Sequence, residues 1–322
     1  MKMNLKLLLA QILILITSVF GLSSCLATTN GKSVQKEIRK QFSVTEATRF
    51  IADSKYGNLT IAYGQEDMVI VDVKIEAKAS SEEAAKQLLD NLNVLMDATP
   101  GKVSIKTVID NGNSWGRQRE FSIDIHVTLP PRMQAELNQK YGSITMPDDN
   151  RGKYQIDMKY SKLTAGDFTQ PLNVEAGYSK LKLGNLKQVS LKLSYCSDVL
   201  LNNVEIASIE CKYSDLLFRR LDNLLSMADL SYSSLDIDEV SIGFQDINID
   251  ARYSKVNIRV APKTPFTLIA ENTRYSKCLL LSDFLTNNVR KNGKSYEYAE
   301  VNGAHSGKIN FSGASYSTLI IK

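Results

Sequence analysis

KYSKLTA (159–165), GYSKLKL (177–183), KYSDLLF (212–218) and RYSKVNI (252–258) share one pattern: tyrosine, serine, any residue, then two apolar residues separated by one. Close variants are KYGNLTI (55–61), KYGSITM (140–146), SYCSDVLL (194–201), SYSSLDI (231–237), RYSKCLL (274–280) and SYSTLII (315–321). From Tyr141 to Tyr275 the tyrosines are 19, 18, 17, 18, 19, 21 and 22 residues apart. Self-similarity at a period near 20 is the mark of a solenoid, with one coil per repeat. The expected fold is therefore all-β, a parallel β-solenoid of about 17–22 residues per coil over residues 132–322.

Aligned on the tyrosine, apolar side chains fall at −4 and −2 (Ile156 and Met158, Val174 and Ala176, Leu191 and Leu193, Ile249 and Ala251). They return at +3 and +5 (Leu163 and Ala165, Leu181 and Leu183, Leu216 and Phe218, Leu235 and Ile237). One more follows near +8 or +9: Phe168, Leu186, Val204, Leu221 and Val240. In a strand, side chains alternate between faces. The change from even to odd offsets therefore marks a corner, expected just after the tyrosine, where serine or glycine tolerates a tight backbone. The tyrosine keeps the inward parity of −4 and −2. On that reading Tyr141, Tyr160, Tyr178, Tyr195, Tyr213, Tyr232, Tyr253, Tyr275 and Tyr316 stack as a ladder along an inner corner. An outward, sugar-binding row is the alternative, and alternation favours the inside. Between Tyr275 and Tyr316 lie two coils' worth of chain without the motif, read as one degenerate coil with a protruding hairpin or loop at 287–306, turning at Lys291-Asn292-Gly293-Lys294.

Residues 42–131 read differently, as a β-rich cap on the open end of the repeats. Val69, Val71, Val73 and Ile75 alternate, as do Val103, Ile105 and Thr107, and Phe121, Ile123, Ile125 and Val127. Between them Ser80 and Glu83 form a capping box for a helix over 81–96, with Ala84, Leu88, Leu92 and Leu95 on one stripe. A polar loop around 111–119 carries Trp115, the only tryptophan.

The start of the chain reads as an address. Lys2 and Lys6 precede a short apolar run, Leu7 to Phe20, and Leu22-Ser23-Ser24-Cys25 has the form of a lipobox. Residues 1–24 are read as a lipoprotein signal peptide, Cys25 as the lipidated residue, and polar residues 25–41 as a tether. Lipid on Cys25 makes the membrane a partner. The absence of acidic residues just after Cys25 favours the outer membrane and its periplasmic side. Of 39 lysines and arginines, Lys2 and Lys6 leave with the signal, so basic side chains nearly balance the 35 acidic ones. That balance excludes a nucleic-acid binder.

The remaining cysteines, Cys196, Cys211 and Cys278, have no CxxC spacing, and the chain has only two histidines, His126 and His305. No zinc site or other cofactor is implied. Cys211 and Cys278 fall at core positions of their repeats; Cys196 reads as an extra residue in a bulge, and a Cys196–Cys211 disulfide between neighbouring coils stays open. Lys140, Lys159, Lys162, Lys180, Lys212, Arg252, Lys255, Arg274 and Lys277 flank the corner and would line up as a basic stripe, either a track for an acidic envelope component or a solvated face. Ser194, Asp215 and Ser231 interrupt it. Acidic residues gather at Asp222, Asp229, Asp236, Asp238, Glu239, Asp246 and Asp250. Paired carboxylates serve β-helix glycan enzymes, but alternation with Leu235 and Ile237 puts Asp236 and Asp238 on a solvated face. No catalytic motif anchors a reaction.

The repeated Y-[SG]-x-φ-x-φ units, where φ is apolar, the strand at 69–75 and the strand ending Leu129-Pro130 resemble a bacterial putative-adhesin family of domain-of-unknown-function β-solenoid lipoproteins, Bacteroidetes-type. The resemblance spans about 42–322. It implies a right-handed, single-stranded solenoid of adhesin-like character with no established ligand; the first functional reading of the chain is a non-enzymatic, lipid-anchored envelope protein whose flank binds a glycan or another envelope protein. The resemblance also implies, as an alternative, an accessory role in sigma/anti-sigma envelope signalling. A β-helix glycan-active enzyme is the third reading.

Overall fold

The computed structural model describes residues 31–322 except 111–119, 282–283 and 304–306. The signal peptide, Cys25 and the loop with Trp115 lie outside the described residues. What is described is all-β, 24 strands and one helix, in two compact units divided between Ala135 and Glu136.

In the first unit, strand Met68–Ala79 pairs antiparallel with Glu120–Leu129 on one side. On its other side it pairs along its whole length with Lys32–Ser43. The expected tether is therefore, from Lys32 onward, an edge strand. Its polar, lysine-rich sequence suits an edge, where charge deters further pairing. Val69, Val71, Val73 and Ile75 are all buried. The helix is shorter than expected, Glu82–Asp90, and its N-cap is Ser81, which accepts from the Ala84 amide at 3.2 Å. Leu92–Thr99 is a strand, antiparallel to Lys102–Ile109. Leu92, Val94 and Met96 are buried while Leu95 is exposed, so the period there is two. The helical stripe through Leu92 and Leu95 is thereby corrected to Ala85, Leu88 and Leu89.

In the second unit each internal repeat pairs in parallel with the repeats on either side. Strand Leu172–Gly177 shows the register: Val174 faces Ile156 on one flank and Leu191 on the other. Past the corner, Leu181 lies between Leu163 and Val199. Every apolar residue named above at −4, −2, +3, +5 and +8 or +9 is buried, so these positions form one continuous core.

The tyrosines are not in that core. Each is about half exposed, and Tyr275 is 82% exposed. The inner-corner placement is overturned, and the backbone gives the reason. Every ladder tyrosine has positive φ, between 49° and 58°. That left-handed conformation is unusual for a bulky residue and costs roughly 1–2 kcal/mol. It breaks the alternation at the tyrosine itself, so residues −1 and 0 both face outward and the residue at +1 turns in. The small residue follows from lack of room inside: a Cβ on Gly57, in the first unit's copy, would lie 2.1 Å from the Ile123 carbonyl oxygen.

In the second unit the inward +1 residues build a second ladder. The hydroxyls of Ser161, Ser179, Ser214, Ser233, Ser254 and Ser317 each donate to the carbonyl two residues back, at 2.7–2.9 Å. The amides of Ser214, Ser233 and Ser254 each donate to the serine oxygen of the next repeat at 3.0–3.1 Å. Cys196 holds a rung of this ladder: its amide donates to Ser214 Oγ at 3.0 Å. The extra residue of its repeat thus lies beyond it, where Asp198 has positive φ. Cys196, Cys211 and Cys278 are buried free thiols.

The end of the chain departs from simple succession. Strand Thr318–Ile321 lies between Lys255–Val260 and Lys277–Leu280, parallel to both. Gly307–Asn310 is likewise threaded between Asp246–Arg252 and Phe266–Ile269. The last repeat in sequence is the penultimate one in space. Gly307 allows it, since a Cβ there would lie 2.4 Å from the Phe244 ring. The residues expected as a degenerate coil form a hairpin, Thr286–Asn292 with Ser295–Val301, and its second strand pairs antiparallel with Phe266–Ile269.

Three outcomes test this architecture. Ser214→Ala removes a buried hydroxyl that serves two backbone groups and should cost about 1–3 kcal/mol in urea unfolding, whereas Cys196→Ser should be neutral or stabilising. Tyr213→Gly should be more stable than Tyr213→Ala by about 1 kcal/mol, because both lose the ring but only glycine accepts the left-handed corner without strain. Burial pushes the Cys211 and Cys278 thiols from 9.0 up to about 12. Above pH 9 the unfolded chain ionises there and the folded chain does not, so this stability is complete below pH 9 and is lost towards pH 12. A Cys211→Val/Cys278→Val variant should show a shallower alkaline fall in Tm.

Candidate functional site

The outward corner of the second unit is its most distinctive surface. The tyrosine rings stack in the spatial order 141, 160, 178, 195, 213, 232, 253, 316, 275. Centroids are 4.8–5.2 Å apart, the spacing of paired strands. Planes lie within 12° of parallel except at the last pair, Tyr316–Tyr275, at 22°. Each stacked pair adds about 0.5–1.5 kcal/mol beyond burial, comparable to the cost of one left-handed tyrosine. Internal rings spend both faces on each other and show their edges to solvent.

All the sequence-predicted basic residues, Lys140, Lys159, Lys162, Lys180, Lys212, Arg252, Lys255, Arg274 and Lys277, are exposed beside this row. The threaded strand reshapes their order. Ser315 and Thr318 stand between Arg252 and Lys255 on one side and Arg274 and Lys277 on the other. Lys180 is paired with Asp198 at 2.5 Å, Lys212 with Glu210 at 2.9 Å, and Arg252 reaches Asp229 at 3.5 Å. The flank is a mosaic of charge. Lys162, Lys180 and Lys182 line one end of a shallow groove of about 560 Å³, and Asp198, Asp215 and Asp236 the other.

Most of the acidic cluster is held between neighbouring repeats. Arg219 takes Asp238 at 2.9 Å, Ser241 donates to Asp222 at 2.6 Å, and Asn257 donates to Asp236 at 2.6 Å. Among the described residues no group of three or more His, Cys, Asp or Glu could hold a metal ion. His126 is exposed in the first unit, and His305 lies outside the described residues.

A second concavity, of about 570 Å³, sits where the ladder ends. Tyr275, Asn272 and Lys277 form one side; Asn292, Lys294 and Glu297 of the hairpin form the other. Sequence reasoning singled out the hairpin but not Tyr275 as its counterpart. The motif alone could not show that Tyr316 takes the inner place and leaves Tyr275 terminal.

No family model and no curated protein matches the chain. Among solved structures it is similar to a candidate lipid-binding protein from Parabacteroides distasonis ATCC 8503, at 10% identity over 89% of this chain and 96% of that one, with TM-score 0.42. It is also similar to a candidate adhesin from Parabacteroides merdae ATCC 43184, at 9% identity over 89% and 96%, with TM-score 0.39. A candidate cell adhesion protein from Clostridium sporogenes ATCC 15579 matches at 12% identity over 89% and 99%, with TM-score 0.20.

The groove makes a local prediction. Lys180→Ala frees the Asp198 carboxylate on an exposed surface and should change stability by less than about 1 kcal/mol. Thermal melts of Lys180→Ala and Asp198→Ala beside the parent measure it.

Proposed function

We propose that this chain is a non-enzymatic, lipid-anchored envelope protein whose repeats form a right-handed β-solenoid and present the tyrosine corner to a partner, a glycan or another envelope protein. Cys25 is the anchor, and the outer membrane, facing the periplasm, is the site. One observation carries the reading: nine tyrosines stand in line on the outside of the second unit, eight half exposed and Tyr275 more so, with charge of both signs beside them. Tyrosine is enriched at recognition surfaces because its ring is rigid, amphipathic and loses little entropy on contact. Buried, the same rings would serve packing alone.

The surrounding chemistry supports binding over turnover. The thiols are buried and hold their protons. The carboxylates beside the corner are engaged, Asp198 by Lys180 and Asp215 by Ser234, and those of the acidic cluster at Asp222, Asp236 and Asp238 are held by Arg220, Asn257 and Arg219. The rows of edge-on phenols and mixed charge suit extended contact with a repetitive partner better than enclosure of one small substrate.

The test has two arms. Cys25→Ser should move the protein from the membrane fraction to the soluble fraction. A glycan array and an envelope-protein pull-down should each be run with the parent and with Lys162→Glu/Lys180→Glu/Lys255→Glu. Reduced capture by the charge-reversed variant supports the corner as the binding face, and unchanged capture removes it.

A further inference from the structure

We propose that the terminal tyrosine, Tyr275, and the hairpin turn beside it form a saccharide subsite selective for an acidic sugar. The proposal rests on the binding role proposed above and names its ligand class and place.

The argument starts from ladder order. Tyr316 sits between Tyr253 and Tyr275, so Tyr275 is the last ring in space. Eight ladder rings are 48–51% exposed, but Tyr275 is 82% exposed. One face lies on Tyr316 at 4.9 Å, and the other is open. An open aromatic face is what the C–H face of a pyranose packs against, and the inner rungs do not offer one.

The chain could have laid a further repeat over Tyr275, but residues 286–301 form a hairpin that stands beside it. The hairpin is locally fixed. Lys291 Nζ lies 4.0 Å from the centroid of the Tyr296 ring, and Arg290 pairs with Glu271 and, at 3.4 Å, with Glu297. Ser295 Oγ accepts from the Cys278 amide at 2.9 Å, tying the turn to the strand after Tyr275. The result is a cavity of about 570 Å³, within the roughly 300–1,000 Å³ typical of ligand sites.

Its polar lining has the chemistry of a sugar site. The amides of Asn272 and Asn292 offer donors and acceptors for vicinal hydroxyls. Lys277 and Lys294 also line it, and neither is in an ion pair among the described residues. The one carboxylate in the lining, Glu297, is already engaged by Arg290. Two unpaired ammonium groups around an open aromatic face favour a sugar carrying a carboxylate over a neutral one.

Isothermal titration of the mature protein with trigalacturonic acid and with neutral galactotriose tests this. The acidic trisaccharide should bind, more weakly at high salt, and the neutral one at least about tenfold more weakly. Tyr275→Ala should lower affinity about tenfold or more, Tyr275→Phe should retain it, and Lys277→Ala/Lys294→Ala should abolish the acidic preference. Retention in Tyr275→Phe together with an unchanged Tm separates loss of the subsite from loss of the fold. No binding of the acidic trisaccharide by the parent, or equal binding by Tyr275→Ala, overturns the subsite. Loss of binding in Lys162→Glu/Lys180→Glu with Tyr275→Ala unaffected also overturns it, while leaving the broader glycan-binding role standing.

Discussion

A bulky aromatic residue held at positive φ, once per repeat, is the constraint on which the second unit depends. The left-handed tyrosine stops the in–out alternation of the strand and turns the chain through its corner. It does this at an energetic cost that glycine would not incur. Stacking offsets that cost only when repeats are in register, because the rings meet at strand spacing and nowhere else. The unfavourable backbone and the favourable stack are thus coupled, and the pair specifies alignment of one repeat on the next.

The inward serine completes the device. A corner leaves backbone groups without strand partners, and buried unpaired groups cost about 1–3 kcal/mol each. One hydroxyl serves a carbonyl in its own repeat and an amide in its neighbour, so the corner is satisfied across repeats. Cysteine at 196 occupies the same place with a weaker partner: its sulfur lies 3.4 Å from the Ala176 carbonyl oxygen. Because each rung is equivalent, the rungs need not be filled in chain order. The C-terminal strand takes an inner rung between older neighbours, and Tyr275 is left at the end.

Much of this was legible in the sequence. The apolar offsets −4, −2, +3 and +5 named the core residue by residue, since burial follows directly from alternation. The odd interval from −2 to +3 also showed that alternation breaks once per repeat. Where it breaks was not legible by propensity, which assigns tight backbone to the small residue. Here the serine is small because space inside is short, and the tyrosine bears the strain. Residues 92–99 failed for a related reason: Leu88, Leu92 and Leu95 fit a helical stripe, but Leu92, Val94 and Met96 fit a strand equally well, and pairing with Lys102–Ile109 decided it. Residues 32–41 of strand Lys32–Ser43 looked like a linker because an edge strand needs little apolar surface. Threading of the last strand left no local mark beyond Gly307.

The central claim is that the tyrosine row lies outside the core, with its ring edges in solvent. Nitration of the native protein by tetranitromethane, mapped peptide by peptide, measures it most directly. The structure predicts modification at Tyr160, Tyr178, Tyr195, Tyr213, Tyr232, Tyr253 and Tyr316 without unfolding, and fastest modification at Tyr275. Protection of the inner rungs until the protein is denatured would place them in the core and contradict the account.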